Sequence, residues 1–414
     1  MTLAPGIDPS LVTGAWREGD PPGARKFADI GDLTLDSGHT LPDVRLAYET
    51  WGTFDGSNAV LILHALTGDS HVHGPSGPGH VTAGWWDSLV GPGEAIDTDR
   101  FFVVAANILG GCQGSTGPAS LDPDGLPWGG SFPALTVRDQ VRAEAALTDQ
   151  LGIASWFAVI GGSAGGMRAV EWAIEHAPRV ERLFLLATSA AASAEQIALS
   201  RTQIAAIHND PAWYDGDYYD GPVGPLAGLD LARRIAHIAY RSEAELDERF
   251  GRTVQADGRW AVDSYLQHHG AKLVQRFDAN SYITLTSAMD THDVGRDRGG
   301  IQAALGRITA RTIVAGISSD RLYPLHQQHE LADHIPGADP LAVVESPYGH
   351  DGFLIEFDQV GKPPPPSSTT TDEVVTAPRG GSCRPARRRL APCAVMRRAT
   401  TASSGGENYL LKGR

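Results

Sequence analysis

Cysteine is nearly absent from the chain. Three residues in 414, Cys112, Cys383 and Cys393, cannot build a disulfide framework. No stretch approaches the ~18 continuous apolar residues of a membrane span. The opening MTLAPGIDPSLVTGAW has neither a basic n-region nor an apolar h-region, so no secretory signal is expected. Basic charge is in deficit as well. Thirty-four Lys and Arg against 49 Asp and Glu leave a net charge of −15, which argues against nucleic acid or an anionic membrane as partner. Internal repeats and an HExxH helix are also missing. These absences predict a cytoplasmic protein, long enough for one large domain or a core domain with an insertion.

What is present is a rhythm of short apolar runs and helical patterns. Strands are expected at 44–50, 59–64, 101–106, 157–161, 182–187, 312–316 and 341–345. VLIL (60–63), FFVVAA (101–106) and LFLLA (183–187) are almost continuously apolar, as strands buried on both faces are. Helices expected at 137–151 and 166–176 flank one such run, giving βαβ units and a mostly parallel sheet covered by helices. Between Ala187 and Thr312 the strand signal stops. Helical patterns at 191–208, 229–240, 243–250, 262–276 and 280–290 take over, and a helical cap inserted into the sheet domain is predicted. The division is therefore 1–187 with 311–360 as an α/β core and 188–310 as the cap. From 361 to 414 the composition turns Pro/Ser/Thr-rich and then basic, and a disordered tail is expected.

Gly161-Gly162-Ser163-Ala164-Gly165 is a G-x-S-x-G. Alone it is weak in a chain with 48 glycines. Its setting, an apolar run before and a helical pattern after, is that of a nucleophile elbow, where a strained turn lifts a serine Oγ clear of the backbone. The competing reading is a phosphate-binding glycine turn, but no G-x-G-x-x-G stands here. A nucleophilic serine needs a base and an orienting acid, in this fold in the order Ser, acid, His, each after a later strand. ISSDRLYP supplies Asp320 and SPYGHDGF supplies His350. An Asp after a strand is also an ordinary helix cap, and a loop histidine is often merely solvated; the order of all three carries the assignment. Two backbone N–H donors are needed for an oxyanion. Ala164 follows the nucleophile, and Leu66 in HALTGDSH is the expected second. Histidines 64, 71, 73 and 80 invite a metal reading, but their spacing matches no zinc pattern, and a polar cleft is the simpler expectation.

With those residues in view, HALTGDSH (64–71), NILGGCQGSTGPAS (107–120), VIGGSAGGMRAVEWA (159–173), RFDANSYITLTSAMDTHD (276–293) and PYGHDGFL (347–354) resemble the homoserine O-acetyltransferases of methionine biosynthesis, from about residue 10 to Val360. The resemblance implies the α/β-hydrolase fold. It also implies a cofactor-free, ping-pong transfer of acetyl from acetyl-CoA to L-homoserine, and a homodimer joined through the cap. By the same resemblance, Ser163 is the acylated nucleophile, Asp320 the acid and His350 the base. Arg233 contacts the homoserine carboxylate, a task suited to a guanidinium fork; Tyr240 faces the serine, and Asp351 meets the amine. An exposed arginine on an amphipathic helix is the plainer reading of Arg233, with Arg234 beside it as the rival. Two departures stand out: the family usually has methionine at the position of Ala164, and its terminal helix is replaced here by four prolines. Succinyl-CoA as donor, L-serine as acceptor, an esterase or thioesterase with the same triad, and a non-catalytic binding protein are the alternatives. Fold alone does not separate them.

Overall fold

Strand β3 (Ala59–Leu63) is buried at every position. Ala59, Leu61 and Leu63 join one apolar cluster and Val60 and Ile62 another, so the two faces of one strand feed two separate cores. A five-residue apolar run is therefore the centre of a sheet and not a helix. The computed structural model describes residues 5–362; the tail expected to be disordered lies outside the described residues from 363 on.

The other strands are β1 (Lys26–Thr34), β2 (Thr40–Trp51), β4 (Val90–Gly91), β5 (Ile96–Asp97), β6 (Phe102–Ala106), β7 (Ala158–Gly162), β8 (Arg182–Leu186), β9 (Arg311–Ile317) and β10 (Ala342–Val344). Eight of them form one sheet in the order β1-β2-β6-β3-β7-β8-β9-β10, while β4 and β5 pair separately. Strand β2 runs antiparallel to both neighbours, and every pair from β6 to β10 is parallel. The chain crosses over β3 between β6 and β7, the kind of switch point at which open α/β sheets bind ligands beyond the C-terminal strand ends.

Helices α1 (Val137–Gln150) and α2 (Ala164–Glu175) cover one face of the sheet. Thr136 and Asp139 close a capping box at the start of α1. Between β8 and β9 come α3 (Ala194–His208), α4 (Leu226–Tyr240), α5 (Glu243–Arg249), α6 (Ala261–Val274), α7 (Ala279–Asp290) and α8 (Ile301–Leu305), with no strand of the sheet among them. Ser193, Ser242 and Asp278 cap α3, α5 and α7 through their side chains, each accepting from a backbone N–H three residues on. Helix α9 (Leu325–His334) packs on β9, and α10 (Phe357–Gly361) ends the described chain.

The second face of the sheet is covered differently. Trp86, Leu89, Phe353 and Val360, from loops and short helical segments, pack on it. They leave a groove of about 390 Å³ floored by Ala158, Ile160, Phe184 and Ile313.

The expected strands and helices are all found, with ends shifted by up to four residues. Not anticipated were β1, the short β4–β5 ladder, α8, α9 and α10. Strand β1 is an edge with register shifts around Gly31, half exposed, so it lacks both the apolar run and clean alternation. Helix α2 starts at Ala164 instead of the expected Gly166, directly after the serine.

Candidate active site

Ser163 has φ 56° and ψ −124°, a conformation L-residues adopt only under constraint. Several bonds impose it. The Ser163 N–H donates to Leu186 C=O at 2.9 Å, and its own C=O accepts from the Thr188 hydroxyl at 2.9 Å and from Met167 N–H at 3.1 Å. The flanking glycines are sterically required. A Cβ on Gly161 would lie 2.2 Å from the carbonyl oxygen of Gly165, and one on Gly165 would lie 1.9 Å from that of Leu63. The G-x-S-x-G spacing is thus the closest packing of an elbow against its own helix and the neighbouring strand.

The three residues singled out from the sequence meet. His350 Nε2 lies 2.8 Å from Ser163 Oγ, and His350 Nδ1 lies 2.6 Å from Asp320 Oδ2. The other oxygen of Asp320 accepts from the N–H groups of Leu322 and Tyr323 at 2.8 and 2.9 Å. All three side chains are buried. The order nucleophile–base–acid is that of a serine activated by imidazole, and the twice-bonded carboxylate holds the ring by Nδ1. Tyr323, which sequence reading missed, stacks on the His350 ring at 4.9 Å, and Phe353 meets it edge-on at 5.3 Å. Its position three residues after Asp320, on the same loop, was the available signal.

Leu66 and Ala164 pack in one apolar cluster beside the serine. Ala164 is the first residue of α2, in the turn whose N–H groups have no partner inside the helix. Arg233, on α4, turns toward the same loop and donates from Nη1 to Thr67 Oγ1 at 3.2 Å, with its guanidinium carbon 5.4 Å from the centre of the Tyr240 ring. Arg234 instead pairs with Asp230 at 2.5 Å along the helix. Tyr240 reaches the His350 ring at 5.9 Å. Asp351 is already engaged: Arg241 Nε stands 3.1 Å from its carboxylate, a pairing the sequence reading did not foresee. Burial, opposed by Arg241, leaves the Asp351 carboxyl above its ordinary value. Burial likewise raises the Tyr240 hydroxyl, with Asp351 adding to it against Arg233.

The loop histidines do not act as a set. His64 Nε2 accepts from Ile108 N–H at 3.1 Å, and His73 pairs with Asp87 at 2.7 Å. His71 and His80 converge on Glu49, which lies 2.9 and 3.8 Å from them. Their rings, however, are stacked at 3.8 Å and within 12° of parallel. Lone pairs lie in the ring planes, so two parallel rings cannot both point at one ion ~2.0–2.1 Å from each nitrogen. His80 Nε2 also accepts from Ala24 N–H at 2.9 Å. The group is organised as a hydrogen-bonded ion pair, and its donor geometry does not fit a metal. Ser163 lines neither the sheet groove nor a second cavity of about 550 Å³ beside Trp16 and Arg45.

A parallel sheet with one antiparallel strand, a serine on a strand–helix elbow, and a histidine and an aspartate on later strand loops together define the α/β-hydrolase fold. The family model described as alpha/beta hydrolase fold matches residues 58–357. A homoserine O-acetyltransferase of Thermobifida fusca is 63% identical over 362 residues, covering 85% of this chain and 96% of that protein. Among solved structures, a homoserine O-acetyltransferase from Bacillus anthracis matches with TM-score 0.75 at 28% identity, covering 82% of this chain and 95% of that one. Esterase E22 matches with TM-score 0.74 at 27% identity, covering 81% and 97%. The chain belongs to the homoserine O-acetyltransferase family of α/β-hydrolase-fold acyltransferases.

Proposed function

We propose that this enzyme moves the acetyl group of acetyl-CoA to the hydroxyl of L-homoserine in two steps through acetyl-Ser163. The observation that carries the reading is the Ser163–His350–Asp320 relay in a chain 63% identical to a homoserine O-acetyltransferase. His350 takes the Ser163 proton as Oγ attacks the thioester carbonyl. The resulting oxyanion is held by the N–H groups of Leu66 and Ala164, and the imidazolium returns its proton to the departing CoA thiolate. Homoserine then enters. His350 deprotonates its hydroxyl, the second tetrahedral intermediate collapses, and Ser163 regains its proton as O-acetyl-L-homoserine leaves.

Arg233 is our candidate for the homoserine carboxylate, supported by its buried Nε, which has no hydrogen-bond partner among the described residues. Asp351, half of the Arg241 pair, is the candidate for the ammonium, and Tyr240 sits between them and the serine relay. The helices between β8 and β9 act as a cap carrying the acceptor contacts. We expect a homodimer through this segment, which exposes Ile238, Val254 and Trp260.

The likeness to an esterase keeps hydrolysis as the second reading. One experiment separates them. Acetyl-CoA alone should release a single burst of thiol and add one acetyl group to Ser163, with steady turnover only after homoserine is added. Steady release without an acceptor would make it a hydrolase. Crossing acetyl- and succinyl-CoA against homoserine and serine tests donor and acceptor together.

A further inference from the structure

The loop after β3 has one backbone feature that the triad does not explain. Among the described residues the Leu66 N–H has no acceptor, although Leu66 is buried. Buried unpaired N–H groups are rare and need a reason. The carbonyl of the same peptide group, Ala65 C=O, is in contrast bonded twice, by Gly68 N–H at 2.9 Å and by His64 Nδ1 at 2.8 Å. A trans peptide is planar, with its C=O and N–H pointing in opposite directions. Two bonds on the carbonyl therefore fix where the N–H aims, and they polarise the group toward a better donor.

The tautomer of His64 follows from its other nitrogen. Ile108 N–H donates to His64 Nε2 at 3.1 Å, so that nitrogen carries the lone pair. The neutral ring then has its proton on Nδ1, facing the Ala65 carbonyl. Burial, and next the charge of Arg168, push His64 down to about 3, so the ring is neutral across the working range. Arg168 also donates to the His64 carbonyl at 2.5 Å, and Arg276 donates to the Thr67 carbonyl at 2.8 Å. The loop is held on both sides of the Ala65–Leu66 peptide, and His64 alone grips the peptide itself with a side chain.

We propose that His64 is a positioning residue for the oxyanion site: its Nδ1–H holds the Ala65 carbonyl so that the Leu66 N–H faces the acyl group on Ser163. The inference rests on the acetyl-Ser163 reading above. It assigns His64 no contact with substrate.

Asparagine and glutamine separate the two nitrogens. His64→Asn keeps a donor near Nδ1, whereas His64→Gln keeps an acceptor near Nε2 for Ile108 and loses the Nδ1 donor. The measurement is the rate of the thiol burst with acetyl-CoA, alongside the homoserine KM and the pH profile. One oxyanion donor is worth about 10²–10³ in rate. We expect His64→Gln to slow the burst roughly 30- to 300-fold and His64→Asn by less than about tenfold. Homoserine KM should stay within about threefold, and the pH midpoint, set by His350, should not move. A His64→Gln burst as fast as that of His64→Asn or of the unmodified enzyme would overturn the proposal. So would a loss of rate that appears only where the protein also melts early. Acetylation of Ser163 in the unmodified enzyme, read by intact mass, tests the underlying reading separately. If that adduct never forms, the two-step scheme fails; if it forms and His64→Gln forms it equally fast, only the role of His64 fails.

Discussion

Ser163, Asp320 and His350 stand at the ends of three parallel strands, whereas Arg233, Tyr240 and Arg241 stand on or just beyond one helix, α4, of the segment between β8 and β9. On the strand side every polar atom of the relay has its partner inside the protein. On the helix side bonding capacity is left over, most plainly at the buried Arg233 Nε. Buried groups without partners cost free energy unless something completes them. The relay is thus complete in itself, and on the function proposed above the helix side is completed by the acceptor. On that proposal the relay does the chemistry, and acceptor choice falls to groups with something still to bond.

That division predicts effects of different kind and size. The largest is Ser163→Ala, which should lower turnover by at least ~10⁴-fold while leaving the fold intact. Residual turnover above a trace would place the reaction elsewhere. Next is Arg233→Ala. Loss of a charge-assisted contact of about 1.5–3 kcal/mol should raise the homoserine KM by roughly 10- to 150-fold and spare the acetyl burst. A burst lost together with acceptor binding would instead assign Arg233 to holding Thr67, its partner in the structure. Smaller again is a change where the halves touch. Gly349 has φ 64°, and a Cβ there would lie 2.6 Å from the Tyr240 carbonyl oxygen at the end of α4. Gly349→Ala should cost about 1–3 kcal/mol of stability and shift kcat and KM together, because it pushes His350 and Tyr240 apart at once. If thermal melting and both constants are unchanged, the two halves are not coupled through this loop.

The same division governed what could be read without coordinates. Period and composition exposed the buried strands, and chain order then located Asp320 and His350 behind two of them. The elbow was legible because glycine two residues either side of Ser163 is a steric demand of the local backbone. Arg233 was ambiguous with Arg234, since both lie on an amphipathic helix; only the ion pair of Arg234 with Asp230 separates them. The Arg241–Asp351 pair joins positions 110 residues apart and had no local sign. Tyr323 and His64 act by stacking and by tautomer, neither of which a residue pattern encodes. The edge strand β1 was hidden by its half exposure and its irregular register.

Histidines supply the finest test, because His71 on the strand side and His237 and His269 in the helical segment are shifted in opposite directions. Beside the strand half, burial favours neutral His71, but the hydrogen bond and charge of Glu49, helped by Asp69, outweigh it and raise His71 above its ordinary 6.5. In Glu49 burial is likewise outweighed, by hydrogen bonds from His71 and Ser70, and its carboxyl falls below its ordinary value. In the helical segment, burial first and then Arg233 lower His237 far below 6.5 and His269 to about 3. The signs are opposite. A raised histidine contributes fully below about pH 6.5 and loses that contribution as pH rises through its folded value. A depressed one contributes fully above 6.5 and loses it as pH falls. Hydrogen exchange, corrected for intrinsic rates, should therefore show α4 and α6 losing protection on acidification from about pH 6.5 to 5, an interval above the titration of Glu49. Residues 69–80 should lose protection on the alkaline side. His80, stacked on His71 and lowered by burial, adds an acid limb to the strand side, so the alkaline limb is isolated by comparison with His71→Gln, which should abolish it. His269→Gln should make the acid limb of the helices shallower, with His237 supplying the remainder, and leave the alkaline limb of the loop untouched. If both regions instead lose protection together on the alkaline side, the site unfolds as one unit, and the separation of a fixed half from an acceptor-completed half does not extend to stability.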